Sequence, residues 1–164
     1  MPVNGVWHFI LWLHYLALSL WIGGITFLCA AAAPAAHTSM ASKAVAGEIV
    51  GKILHRLNRI ELAACLILLG TSFSAFRFIH VYAQGLSFLI LLILLMGLLT
   101  FFYAFHLTGR MNSLKEKIPT LGALSANHAA KIEFDRLHRI YVRLMSLNLV
   151  LGLVVLYGSV VILK

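Results

Sequence analysis

The sequence predicts an all-α fold, an integral membrane four-helix bundle. Hydrophobic residues make up 62% of the 164-residue chain and charged residues only 11%, whereas soluble domains are about half apolar and about a quarter charged. The apolar residues are also concentrated in four runs that reach the roughly 20 residues a membrane-spanning helix requires. We therefore expect one four-helix transmembrane domain over residues 1–164.

The order of the elements follows from the apolar runs and the breaks between them. Pro34 is expected to end the first helix, because proline removes a helical hydrogen bond. The tetrapeptide "YAQG" at Tyr82–Gly85 predicts a tight turn after the second helix,. A longer polar segment, Gly109 to about Asn127, joins the third helix to the fourth. The predicted spans cover about 7–33, 57–79, 86–108 and 140–163.

Basic residues predict the orientation of the bundle. Eleven of the thirteen Lys and Arg lie at the junctions between spans one and two and between spans three and four. The positive-inside rule makes both basic loops cytoplasmic and both termini external. The first span lacks a positively charged leading segment and is too long for a signal peptide, so we expect a retained helix. The expected location is a bacterial cytoplasmic (inner) membrane, which the protein crosses several times.

The same charge distribution predicts the partners. A basic surface beside the bilayer is expected to contact anionic lipid head groups. A nucleic-acid role would require interleaved aromatic residues or a recognition fold, and the sequence has neither. Other membrane subunits are a further possible class of partner.

Polar residues recur at helical spacing along each span, so each polar stripe is expected to face the bundle interior. Small-xxx-small pairs, Gly47 with Gly51 and Ser19 with Gly23, indicate close helix packing,. The stripes are His14, Ala17, Trp21, Gly24 and Leu28; His55, Asn58, Leu62, Cys65, Leu69 and Ser72; Met96, Leu99, Tyr103 and His106; and His138, Tyr141, Met145, Asn148 and Gly152.

Three histidines are candidate cofactor ligands near the cytoplasmic ends of their helices. His55, His106 and His138 share a similar depth, which would allow a three-helix metal or haem site. Two alternatives are open. One is three independent rings at the membrane interface, a favourable place for an amphipathic group, and the other is a hydrogen-bonded structural network.

His14 lies deeper, inside an otherwise apolar helix, and is the fourth candidate ligand. An ionisable group within the membrane is a functional hypothesis by default. The structural alternative is a neutral ring that points inward and bonds to Ser72, Tyr157 or a backbone carbonyl. Neutrality is expected because no Asp or Glu lies at that depth. Glu61 and Arg143, at similar depths in spans two and four, are expected to form an ion pair.

The stretch "LHYLALSLWIGGITF" at Leu13–Phe27 resembles the first-helix pattern H-x6-W-x-G-G-x2-F of small four-span families. These families include CopD-type copper-resistance membrane proteins and HemJ-type protoporphyrinogen oxidases. With "AGEIVGKILHRLNRIEL" at residues 46–62 and "FDRLH" at 134–138, the chain resembles more fully an uncharacterised bacterial four-span family related to transmembrane protein 205. The HemJ-type resemblance implies a haem-binding role for His14.

Three functions from different classes are compatible with these residues. The first is an inner-membrane redox protein that binds haem b between helices. The second is a non-catalytic accessory subunit of a larger membrane complex. The third is copper or other metal handling by soft ligands such as Met and Cys. The sequence has no nucleophile with a base, no Gly-rich phosphate loop and no carboxylate pair, so no enzymatic reaction is assigned.

Overall fold

The computed structural model describes residues 2–78, 83–118 and 128–163, which are helical almost throughout and contain no strand. The helices in chain order are α1 (Pro2–Phe27), α2 (Ala33–Ser39), α3 (Lys43–Phe78), α4 (Ala83–Phe101), α5 (Thr108–Lys117) and α6 (Ala129–Ile162). Two π-helical segments, Leu28–Ala32 and Phe102–Leu107, join α1 to α2 and α4 to α5 without a break.

Four continuous helical stretches are long and apolar enough to cross a membrane: Gly5–Ser39, Ala44–Phe76, Gln84–Lys117 and Ala129–Ile162. The predicted all-α class with four spanning helices is therefore confirmed. Each stretch has 33 to 35 residues, or about 50 Å at 1.5 Å per residue. A bilayer core is about 30 Å thick, so the polar ends of the helices reach the head-group region or beyond.

Pro34 does not end the first helix, contrary to the prediction. The helix continues to Ser39 because the π-helical segment before Pro34 widens the turn, with the N–H of Ala33 bonded to the carbonyl of Leu28. In a regular helix the proline ring would collide with the carbonyl four residues back, that of Ala30. The wider π turn relieves that contact.

Parts of both predicted connections are helical. Ala83, Gln84 and Gly85 of the "YAQG" motif belong to α4, and its first residue, Tyr82, lies outside the described residues. The polar segment after the third span begins as helix α5, which ends at Lys117, and Ile118 then has non-helical backbone angles of φ −134° and ψ 84°. Pro119 follows in the sequence and disfavours helical angles in the residue before it,. Residues 119–127 also lie outside the described part of the chain.

The long helices form a ring in which α1 packs on α3 and α6, and α4 packs on α3 and α6. Their shared core includes large, almost fully buried side chains from every member, among them Trp21, Leu68, Ile93 and Val155. The outward faces are apolar and exposed, as lipid-facing surfaces should be,.

Glycines allow two helices to approach closely, but at positions other than those predicted. A Cβ added to Gly47, Gly51 or Gly23 would meet no atom within 4 Å, so the predicted small-xxx-small contacts do not form. A Cβ added to Gly97 would lie 2.5 Å from Cys65 Sγ. The contact of α4 with α3 therefore depends on Gly97.

Gly97→Ala is expected to lower the free energy of unfolding by about 1–3 kcal/mol, since overpacking a tight core forces side chains and backbone to shift. Gly70→Ala is the matched control on α3, where an added Cβ meets nothing within 4 Å. The control should be neutral or slightly stabilising, because alanine favours helix over glycine. Unfolding of both variants in mixed detergent micelles would measure the difference, and equal stability of the two would contradict the prediction.

Candidate functional site

Six buried polar side chains from α3, α4, α6 and the second π-helical segment meet inside the bundle. We call them the Glu61 cluster: Asn58, Glu61, Thr100, Tyr103, Tyr141 and Asn148. All are nearly or fully buried, and the side chain of Glu61 has no exposed surface. The members of each helix are spaced by three or seven residues, which places them on one face of that helix.

Hydrogen bonds converge on one carboxylate oxygen of Glu61. Tyr103 donates its phenolic O–H to Glu61 Oε2 at 2.5 Å, and the hydroxyl of Thr100 donates to the same oxygen at 3.3 Å. The Nδ2 amide of Asn148 donates to Thr100 Oγ1 at 2.9 Å and to the Tyr103 oxygen at 3.0 Å. Because Asn148 makes both hydroxyl oxygens acceptors, their own hydrogens are available to Glu61.

A π-helical turn carries Tyr103 to this position. From Met96 onward the buried positions on this helix are Met96, Thr100, Tyr103 and Leu107, so the inward stripe passes through Leu107 and not through His106. Thr108 donates its hydroxyl to the carbonyl of Tyr103 five residues back, at 3.0 Å. Single π turns inside α-helices are frequent at functional sites.

Several polar atoms in the cluster have unused bonding capacity. Within the described residues, Glu61 Oε1, Asn148 Oδ1 and Asn58 Nδ2 are buried and have no hydrogen-bond partner. Asn58 uses its oxygen to accept from the Tyr141 hydroxyl at 2.8 Å. Buried polar atoms are normally satisfied, so such a group of exceptions needs an explanation.

Among the described residues, no cationic side chain forms an ion pair with Glu61. The predicted ion pair with Arg143 is wrong, since Arg143 is exposed and no ion pair within the described ranges involves either residue. Arg143 follows the inward-facing Tyr141 by two positions, which directs it to the opposite side of α6. The carboxyl group is therefore held by neutral donors only.

His14 belongs to a second buried group, the His14 triad, formed with Thr71 of α3 and Ser159 of α6. Its Nδ1 lies 2.8 Å from Thr71 Oγ1 and its Nε2 lies 3.0 Å from Ser159 Oγ. The ring is 1% exposed, which confirms the prediction that it points inward toward the second and fourth spans. The triad lies about 15 Å from the Glu61 cluster along α3, at 1.5 Å per residue.

The partners of His14 are neighbours of those predicted. Ser72 is buried, but its hydroxyl makes no hydrogen bond within the part of the chain described here, and Tyr157 is 74% exposed. Both ring nitrogens of His14 are already hydrogen-bonded, so a haem iron would have to displace Thr71 or Ser159. These contacts do not fit a free axial ligand, and the haem-binding role of His14 stays a prediction.

The other three predicted ligands lie on the surface of the bundle. His55, His106 and His138 are all exposed. His106 stacks on Phe102 at 5.2 Å between ring centroids, and His138 stacks parallel to Phe134 at 6.4 Å. Among residues 2–78, 83–118 and 128–163 there is no group of three or more His, Cys, Asp or Glu that could hold a metal ion. The predicted three-histidine metal cluster therefore does not form within these ranges.

The sequence analysis did not identify Glu61 as the centre of a buried polar cluster, although the spacing of the residues indicates it. Glu61 follows Asn58 by three residues and precedes Cys65 by four, so it shares their helical face. Thr100 was missed as well, because a lone threonine in an apolar helix is common.

The four spanning helices and their buried polar centre define a small multi-pass membrane protein with an uncompensated carboxyl group inside the bundle. The family model described as "Domain of unknown function (DUF4149)" matches residues 16–119, more than half of the chain. The protein belongs to this family. Neither the curated proteins nor the solved structures provide a match. The matched segment contains Asn58, Glu61, Thr100 and Tyr103 of the Glu61 cluster.

Proposed function

We propose that this protein binds and releases a proton at the Glu61 cluster and so acts as a proton-linked component of its membrane. One observation carries the proposal: a fully buried carboxyl group has neutral donors on one oxygen and, within the described part of the chain, no partner on the other. Ionisable groups inside a membrane are expensive and mark proton relays and ion pathways. Stability alone does not favour such a group, since an apolar residue would pack there at lower cost.

The cluster supports both protonation states of Glu61. In the carboxylate state, Tyr103 and Thr100 donate to Oε2, and bonds to a charged group are the stronger kind,. In the acid state, the proton has a vacant position on Oε1, which lacks a partner among the described residues. A group that is supported in both states is suited to proton exchange. The same free oxygens would also suit Na⁺, which is the competing small cation.

Infrared difference spectroscopy of the protein in lipid nanodiscs tests the proposal. Acidification should produce the carbonyl bands of protonated carboxylic acids, and Glu61→Gln should remove the component that comes from a buried acid. Glu48→Gln is the matched control, because Glu48 is exposed and paired with Lys52. Carbonyl bands that are the same in the wild type and in Glu61→Gln would overturn the proposal. Loss of the band on addition of Na⁺ at constant pH would identify Na⁺ as the bound ion.

Haem b binding by His14, His55, His106 or His138 stays a separate prediction, based on the resemblance of the first helix. Its test is the visible absorption spectrum of the purified, dithionite-reduced protein, in which haem would give Soret and alpha bands. Copper handling and a role as an accessory subunit also stay predictions. Metal analysis tests the former and co-purification tests the latter.

We propose an orientation with both basic helix ends in the cytoplasm of a bacterial cell. In a background without the native cysteines, Lys115→Cys should be protected from a membrane-impermeant thiol reagent added outside, and Ala83→Cys should react. Lys115 is exposed, so protection would reflect the side of the membrane. Permeabilised cells, in which Lys115→Cys should react, serve as the control. Labelling of Lys115→Cys in intact cells would reverse the topology.

A further inference from the structure

One face of the α4–α5 helix changes from apolar to basic along its length. A shallow groove of about 570 Å³ follows the apolar part, lined by Leu98, Phe101, Phe102, Phe105 and His106. A second groove of about 510 Å³ continues it and is lined by Arg110, Ser113 and Lys117, among others. Phe105 and His106 line both, so the two form one surface, which we call the α4–α5 groove.

We propose that the α4–α5 groove binds one anionic phospholipid, with its phosphate at Arg110, Ser113 and Lys117 and an acyl chain against Phe101 and Phe105. The three polar residues lie at positions i, i+3 and i+7, which aligns them on one helical face. A guanidinium, a hydroxyl and an ammonium together offer the charge-assisted donors that a phosphate accepts. The proposal is independent of the Glu61 cluster.

The surrounding charges favour this position over other basic residues. Arg110 donates to Glu133 at 3.2 Å and remains 58% exposed, so most of its five N–H donors are free for a ligand,. Lys117 takes part in no ion pair within the described residues. Lys131 is bound to Asp135 at 3.0 Å, and Lys115 lies over the ring of Phe134. Arg110 and Lys117 therefore both line the groove and have donors available for a ligand.

The apolar part distinguishes a lipid from a free anion. A site for inorganic phosphate would need only the basic end, whereas here the basic end continues into a row of exposed aromatic side chains. Phe101 and Phe105 are each 58% exposed, and their rings pack at 4.7 Å between centroids. The change from apolar to basic residues corresponds to the boundary between acyl chains and head groups in a bilayer.

Native mass spectrometry of the detergent-solubilised protein, titrated with phosphatidylglycerol, tests the site. The wild type should retain one phosphatidylglycerol in preference to phosphatidylcholine. The double variant Arg110→Gln/Lys117→Gln should bind it about thirtyfold more weakly, because two basic charges near the head group are lost. Glu133→Gln should bind it more tightly, because the competing carboxylate is removed from Arg110. Circular dichroism would verify that each variant is folded.

Two outcomes would overturn the proposal. The control variant Arg136→Gln/Arg139→Gln removes the same charge from exposed positions on α6 that do not line the groove. An equal loss of binding in this control would mean general surface attraction. Displacement of the lipid by millimolar inorganic phosphate would mean a site for free anions. Retention by the control together with loss in the groove variant supports a specific lipid site.

Discussion

Tyr103→Phe is expected to lower the free energy of unfolding by about 1.5–3 kcal/mol, the contribution of a hydrogen bond to a charged group. The substitution removes the shortest donor to Glu61 and also an acceptor of the Asn148 amide, at 3.0 Å. Reversible unfolding in mixed detergent micelles at neutral pH would measure the change. Tyr157→Phe removes the same atom from a side chain that is 74% exposed, so it should have little effect.

A second variant separates the contribution of the Tyr103–Glu61 hydrogen bond to stability from the contribution of packing around Tyr103. If Tyr103 acts on the carboxyl of Glu61, the cost of Tyr103→Phe should be smaller in a Glu61→Gln background, because a neutral amide oxygen accepts a weaker bond. The double-mutant cycle gives this coupling directly. Equal costs in the two backgrounds would show that the hydroxyl stabilises the fold without acting through Glu61, and would weaken the proposed proton site.

His14→Ala is expected to lower the free energy of unfolding by about 2–4 kcal/mol, through two lost hydrogen bonds and a cavity. Thr71 and Ser159 would lose a partner each, although each hydroxyl oxygen also lies within hydrogen-bond distance of a backbone carbonyl of its own helix, at 2.9 and 2.7 Å. The same unfolding assay applies. His55→Ala is the control at an exposed position, where substitutions usually change stability by less than about 0.5 kcal/mol,.

The His14 prediction also addresses the haem hypothesis. Loss of a visible absorption band together with loss of stability would assign both roles to one ring. Loss of stability in a protein that never shows such a band would leave His14 as a structural residue that joins α1 to α3 and α6. A variant as stable as His55→Ala would contradict the triad itself.

Local sequence properties were sufficient to predict the helices but not their ends. The four apolar runs predict the four spans, but Pro34 and the polar segment from Gly109 also predict helix ends, and the structure continues the helices past both positions. Both are accommodated by π-helical turns, which depend on where the next turns pack and have no simple sequence signature,. The polar helix ends were missed because they extend beyond the apolar runs on which the prediction rested.

The inward stripes were largely correct in the middle of the bundle and wrong at its basic end. Tyr141, Met145 and Asn148 are buried as predicted. The stripe passes through Leu137 at the next turn, and His138 is exposed. Adjacent residues on a helix point in directions that differ by about 100°. A predicted stripe that is shifted by one residue therefore assigns a surface side chain to the bundle interior.

The sequence by itself determined the class of this protein, because length, hydropathy and charge are properties of each segment alone. The sequence also determined that some polar side chains must be buried, since polar groups within four membrane-spanning helices avoid lipid by facing the bundle interior. Only the tertiary structure decided which of them meet. Glu61 meets Tyr103 and Thr100, and His14 meets Thr71 and Ser159, across separations of 39 to 145 residues. Such contacts depend on the rotation of each helix about its axis, which packing of the whole bundle sets.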